Sequence, residues 1–422
     1  MANFLSLSKV PFGNFVWREK NGEKNIKMLY WRVSGWRRWK RAWRLPYDLN
    51  LIPLVFCLRK VVEVLSGGHA VIQSKNEASA ERLAGMSLQL AIDPPPIDGM
   101  TRSYSPAHAD AASAPSLPTV AILLCTYHGQ HYLVEQLDSL AMQTYQNWVV
   151  WASDDGSRDA TRAILERYSR QWGRARLSVD TGPAQGFAFN FLSLTCKSDI
   201  RADYYAYSDQ DDIWEADKLQ RAIDCLRQVP AGVPALYCSR TRLVDANNQE
   251  IGLSPLFSQP PSFANALMQN IGGGNTMVFN DAARQLLCEA GPEVDVSLHD
   301  WWAYLLISGC GGRVVYDAYP SLRYRQHGGN VVGMNAGWRA RANRVRMLWS
   351  GWFRRLSDRN VEALQSVRGR LTPENRMVFD RFSSARNRWL VPRLIGLKQS
   401  GIYRQTWLGN LGLVAAAIFK KI

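Results

Sequence analysis

Two groups of acids carry the chemistry this chain is equipped for. Ser153-Asp154-Asp155-Gly156-Ser157 and Ser208-Asp209-Gln210-Asp211-Asp212-Ile213-Trp214 each follow a short apolar run, Trp148 to Ala152 and Tyr204 to Tyr207. Short runs of aromatic and apolar residues predict buried strands. Both acid groups then fall at the carboxyl edge of one sheet, where open α/β sheets bind ligands. Carboxylates this close repel one another unless a cation or hydrogen-bond donors offset them. The second group therefore points to a divalent metal with oxygen ligands. A metal beside a nucleotide pocket implies a diphosphate substrate.

The elements that must position these acids alternate along the chain. Val120 to Cys125 is an apolar run ended by Thr126-Tyr127-His128-Gly129, and Leu133, Leu137 and Leu140 follow at helical spacing. The strand at Trp148 to Ala152 leads into a helix from about Asp159, with Ser157 or Asp159 able to cap its free amides. Leu177 to Val179 and Tyr204 to Tyr207 predict two further strands, with a helix near Phe187 to Leu194 between them and another from Glu215. Repeated strand-helix order implies an α/β fold with a mainly parallel central sheet covered on both faces.

Composition divides the chain into zones. Residues 1–83 are basic and aromatic, 84–118 form a linker rich in Pro, Ala and Ser, 119–333 carry the strand-helix alternation, and 334–422 are basic with a helical pattern. The net charge of +15 is concentrated in Trp31 to Arg44 and Trp338 to Arg355, where Trp and Arg interleave. That mixture suits the surface of an anionic membrane, with nucleic acid as the rival ligand. No run reaches the ~20 apolar residues of a spanning helix, and no secretory leader opens the chain, so the expected location is cytoplasmic and peripheral on the inner face of the membrane. Seven cysteines without a CxxC read as buried free thiols. Met1 and Met100 are both candidate starts.

Several ordered motifs carry a resemblance. Val120 to Tyr127, Gln136-Leu137-Asp138-Ser139-Leu140 with Gln143-Thr144-Tyr145, Asp154 to Ser157 and Ser208 to Trp214 resemble the catalytic domain of glycosyltransferase family 2. His299-Asp300-Trp301-Trp302 and Tyr324-Arg325-Gln326-His327-Gly328-Gly329-Asn330 are similar to its bacterial rhamnosyltransferase-like branch. The resemblance covers residues 119–333 and implies a GT-A fold, with basic helical extensions at either end.

By resemblance, Thr126, Tyr127, Asp154, Asp155, Asp209 and Asp212 would hold a nucleotide-sugar donor, a dTDP- or UDP-sugar, with Asp155 accepting from the base. Asp209 and Asp211, with His327, would hold Mg2+ or Mn2+. Asp300, at the start of a helix, would be the general base that activates a sugar hydroxyl. Arg323 and Arg325 carry charge suited to phosphate. The segment Asp180 to Gly186 departs from the pattern by lacking an Asn before its glycine, and Ile271-Gly272-Gly273-Gly274 carries an extra glycine. The implied reaction is inverting transfer of a sugar, rhamnose in that branch, to a lipid-linked saccharide of the cell surface. A non-catalytic nucleotide-sugar-binding protein and a nucleic-acid-binding protein are the alternatives. Asp-Gly is also an ordinary turn pair, and an Asp at a helix start is also an ordinary cap.

Overall fold

Apolar runs and amphipathic helices alternate as the sequence leads one to expect. The computed structural model describes residues 117–327 and 351–422. The expectations for Trp31 to Arg44, for the linker and for most of Trp338 to Arg355 lie outside the described residues. β1 (Val120–Thr126) leads through α1 (Leu133–Ala141) to β2 (Trp148–Asp154), and α2 (Thr161–Trp172) leads to β3 (Leu177–Thr181). α3 (Phe187–Thr195) precedes β4 (Tyr204–Ser208), and the second acid group links β4 to β5 (Ile213–Trp214). The first four strands pair in parallel in the order β3-β2-β1-β4.

β1 shows why the sheet is covered twice. All seven of its residues are buried. Val120, Ile122 and Leu124 point into a core shared with Leu133 and Leu137 of α1 and Leu165 of α2, whereas Ala121, Leu123 and Cys125 point into a second core with Phe191 of α3. The period of two along a strand separates the cores.

Beyond β4 the sheet turns antiparallel. After α4 (Lys218–Leu226) come β6 (Ala235–Val244), β7 (Glu250–Leu253), the short α5 (Phe263–Ala266), β8 (Val278–Asn280), α6 (Asp281–Ala290), α7 (His299–Gly309) and β9 (Arg313–Arg325). β8 pairs antiparallel with β4 and β6, β7 closes a hairpin with β6, and β9 runs parallel to β6. The fold is thus α/β, with a mixed central sheet flanked by helices. α4 begins three residues later than the expected Glu215. The carbonyls of Glu215 and Ala216 instead accept from Gln143 Nε2 and Thr144 N, both at 2.8 Å, and residues 215–217 form a turn ahead of the helix.

The C-terminal helices α8 (Trp352–Ser366), α9 (Pro373–Arg386), α10 (Leu390–Gln399) and α11 (Trp407–Ile418) share the second core through residues that include Leu364, Phe379 and Phe382. Asn375 at the start of α9 donates through Nδ2 to the carbonyls of Ser308 and Gly309, each at 3.0 Å, and so satisfies the open end of α7.

Candidate active site

Register brings the acids together at one edge. Thr126 of β1 and Asp154 of β2 are partners across the parallel ladder, so their side chains emerge side by side. The Thr126 hydroxyl donates to Asp154 Oδ1 at 3.0 Å, while the Ser157 hydroxyl and amide donate to the same carboxylate at 2.6 and 3.1 Å. Both Thr126 and Asp154 are buried. Their mutual hydrogen bonds lock the turn at which the sequence places donor contacts. Asp155 accepts from the amides of Ala184 and Gly186 at 2.7 and 2.9 Å. A Cβ on Gly182 would stand 2.8 Å from Asp155 Oδ1 and 3.1 Å from its Cα, so only glycine lets this loop close on the carboxylate. Backbone amides therefore occupy the segment that departs from the family pattern. Each carboxylate oxygen can accept more than one hydrogen bond, which leaves Asp155 able to receive a base N–H as well. Tyr127 is 56 % exposed, with the His128 ring 4.2 Å away, and the two form an aromatic ledge at the end of β1.

Pairing of β5 with β9 shapes the second acid group. Ile213 lies opposite Arg323 and Trp214 opposite Leu322, so the loop before β5 meets the segment that follows β9. Asp211 Oδ2 and His327 Nε2 are consequently 2.8 Å apart although 116 residues separate them. Asp212 turns the other way. It is fully buried and accepts from Asn275 Nδ2 and from the Arg325 amide, so it anchors the loop from beneath. Arg325, 1 % exposed, donates to the carbonyls of Asp211 and Ala246 at 3.0 and 2.9 Å and to Glu135 at 2.6 Å. Arg323 donates to Glu215 at 3.1 Å. Both arginines hold the loop through these contacts.

Charge in this corner is out of balance. Burial, with Asp211 and then Asp300 adding like charge, pushes the Asp209 carboxyl up to about 8. Lys218 is the compensating cation, and it is fully buried with its Nζ 3.6 Å from the Trp214 ring centroid. Among the described residues its Nζ finds no hydrogen-bond partner, and burial draws its pKa down to about 7. A site short of positive charge fits a divalent ion. No group of three or more His, Cys, Asp or Glu forms a cage among the described residues.

Asp300 faces this group from α7. Its oxygens accept from the amides of Trp301 and Gly274 at 2.6 and 3.0 Å, and burial raises its pKa to about 6 against the opposing effect of those amides and of Asn270. Asp300 is half-buried at the cleft. The neighbouring His299 is buried in an aromatic cage, stacked on Phe191 at 4.0 Å and edge-on to Tyr207 at 4.8 Å. Burial holds its pKa near 3, so it stays neutral, and neither ring nitrogen has a partner among the described residues. A Cβ on Gly274 would lie 2.5 Å from His299 Nε2, which explains a glycine there. Gln210, Lys218 and Asn275 were not singled out as site residues by the sequence, whereas Arg325 was, for its charge. Gln210 forms a two-way pair with Tyr127, donating to its carbonyl and accepting from its amide, each at 2.8 Å.

The chain is similar in sequence to several known proteins. The model of the Glycosyl transferase family 2 matches residues 121–286. A dTDP-rhamnosyl transferase of Shigella flexneri, RfbG, is 28 % identical over 254 residues, 57 % of this chain and 84 % of that protein. An Escherichia coli UDP-Glc:alpha-D-GlcNAc-diphosphoundecaprenol beta-1,3-glucosyltransferase, WfgD, is 29 % identical over 107 residues, 25 % of this chain and 40 % of its own length. Among solved structures, a mannosyltransferase of Pyrobaculum calidifontis in complex with GDP-Man and Mn2+ is 17 % identical, covers 86 % of this chain and 98 % of its own, and superposes with a TM-score of 0.41.

Proposed function

We propose that this chain, a family 2 glycosyltransferase through residues 121–286, transfers a sugar with inversion from a dTDP- or UDP-sugar to a lipid-linked saccharide at an anionic membrane surface. One observation carries the catalytic part: Asp300, at the start of α7, lies close enough to Asp209, just after β4, for its charge to raise the Asp209 carboxyl. The donor's leaving group and the acceptor's base therefore share one cleft. RfbG, a dTDP-rhamnosyl transferase, supports dTDP-rhamnose as the donor. WfgD, whose name records a diphosphoundecaprenol-linked acceptor, supports a lipid-linked one.

Tyr127 and Asp155 would hold the base, one by stacking and the other by accepting its ring N–H. Asp209 would meet the donor's ribose and, with Asp211 and His327, would hold Mg2+ or Mn2+, which offsets negative charge on the departing diphosphate. Asp300 takes the proton of the acceptor hydroxyl as its oxygen bonds to the anomeric carbon. The bond from that carbon to the diphosphate oxygen breaks on the opposite side, and the electron pair leaves with the nucleotide. A carboxyl near 6 suits the task, since it is ionised at neutral pH yet retains basicity.

A screen of nucleotide sugars with Mn2+ by thermal unfolding tests the donor class. A ligand at one hundred times its Kd stabilises the folded state by about 2.7 kcal/mol. dTDP-rhamnose is expected to raise the melting temperature more than GDP-mannose does. Equal response to every nucleotide, or to none, would remove the proposed donor specificity.

A further inference from the structure

The C-terminal helices carry an apolar surface that the catalytic reading leaves unused. Trp407 is 72 % exposed, Trp389 70 %, Leu408 67 %, Ile395 52 % and Val391 49 %, and α10 and α11, which hold or adjoin all five, pack against each other. Soluble surfaces scatter such side chains singly, and concentration of this kind marks a binding surface. On α10, Val391 and Ile395 stand one turn apart on a single face, and exposed Arg388 lies just before the helix. On α11, Leu408 and exposed Gly412 stand at i and i+4, and Phe419 and Lys420 are exposed just after the helix.

Charge decides what covers this surface. From Arg381 to Ile422 the sequence contains eight Lys and Arg and no Asp or Glu; Arg386 and Arg393 are buried, which leaves six basic residues for the surface. A second copy of the chain would bring two such basic rims together, at a Coulombic cost. The Trp31 to Arg44 and Trp338 to Arg355 segments are basic too and offer no complement. A negatively charged partner with an apolar interior fits both features. We infer that α10 and α11 form a lipid-docking face that seats Trp389, Val391, Ile395, Trp407 and Leu408 in the headgroup layer of an anionic bilayer. Tryptophan favours that depth, and cations near the surface add attraction to the anionic headgroups. Among the described residues no helix is long and apolar enough to cross a membrane, so the contact is in the plane of the surface. This surface lies within the basic region 334–422, from which membrane association was expected, and the inference rests on the membrane-surface part of the proposed function but not on its chemistry.

The test uses the full chain with phosphatidylglycerol–phosphatidylcholine vesicles and with phosphatidylcholine vesicles alone. Co-sedimentation is expected with the anionic vesicles, weakened by salt. Combined Val391→Glu, Ile395→Glu, Trp407→Glu and Leu408→Glu substitutions should weaken it at least tenfold, with donor hydrolysis in solution changed less than twofold. A second reading separates this face from any other anchor: an environment-sensitive dye on Leu408→Cys, measured against the unsubstituted chain carried through the same labelling, should shift to the blue when the vesicles are added. No shift in a chain that does sediment with vesicles would overturn the inference. So would a chain that ignores vesicles, or one whose self-association is abolished by the four substitutions while no lipid binding is seen.

Discussion

Replacing Asp300 by Asn is expected to lower turnover by about 10²–10⁴-fold, the usual contribution of a positioned proton acceptor. Asn keeps the shape but has one acceptor oxygen where Asp300 uses two, for the Trp301 and Gly274 amides. One of those amides loses its partner, so about 1–3 kcal/mol of stability should go with it. Donor affinity should change little, and this separates a base from a structural cap, whose loss would lower binding and turnover together. The pH profile gives an independent reading. Burial raises the Asp300 carboxyl to about 6, and only the ionised form accepts a proton. Turnover should therefore fall as pH drops through about 6, and the residual activity of Asp300→Asn should lack that limb. A limb that persists in the variant would assign it to another group.

Chelation, or Asp211→Ala, is expected to reduce turnover by a comparable factor while leaving the fold intact. Asp211 is partly exposed at the cleft, and its side chain meets His327. Its removal leaves Asp212, Asn275 and Arg325 to hold the loop. His327→Ala should retain more activity and recover with excess Mn2+, because an ion bound chiefly through carboxylate and phosphate loses only one ligand. Full activity of Asp211→Ala in the presence of chelator would exclude a metal-assisted reaction at this edge.

The sheet's parallel half was legible because its strands are buried on both faces. Val120 to Cys125 and Tyr204 to Tyr207 are continuous apolar runs, and such runs stand out from any surrounding pattern. β6 was not, since Ser239, Arg240, Thr241 and Arg242 interrupt it where it pairs with the exposed hairpin strand β7. β8 has only three residues and offers no periodicity. The sequence likewise locates the acids of the site but not which of them face the cleft. Asp154 and Asp212 are chemically equal to Asp155 and Asp211 as letters, and only their hydrogen bonds place them inside the turn and beneath the loop. The meeting of Asp211 and His327 depends on β5 pairing with β9, a two-residue strand that no sequence window would reveal. The six described cysteines are free, and Cys125 and Cys238 are buried as expected, whereas Cys196, Cys225, Cys288 and Cys310 are only partly so. Their scatter along the chain hid the contact by which the Cys288 thiol donates to the Thr195 carbonyl at 3.6 Å.

The central claim is that the cleft between Asp209 and Asp300 breaks the bond between a sugar and a nucleoside diphosphate. Its most direct test is nucleoside diphosphate release by the purified full chain from dTDP-rhamnose and UDP-sugars with Mn2+ and a diphospholipid-linked saccharide, with the anomeric configuration of the product read by proton NMR. The account predicts metal-dependent release, a product inverted at the anomeric carbon, and near-complete loss of both in Asp300→Asn. A donor that binds and stabilises the chain yet is never cleaved, or a product that retains the donor's configuration, would contradict it.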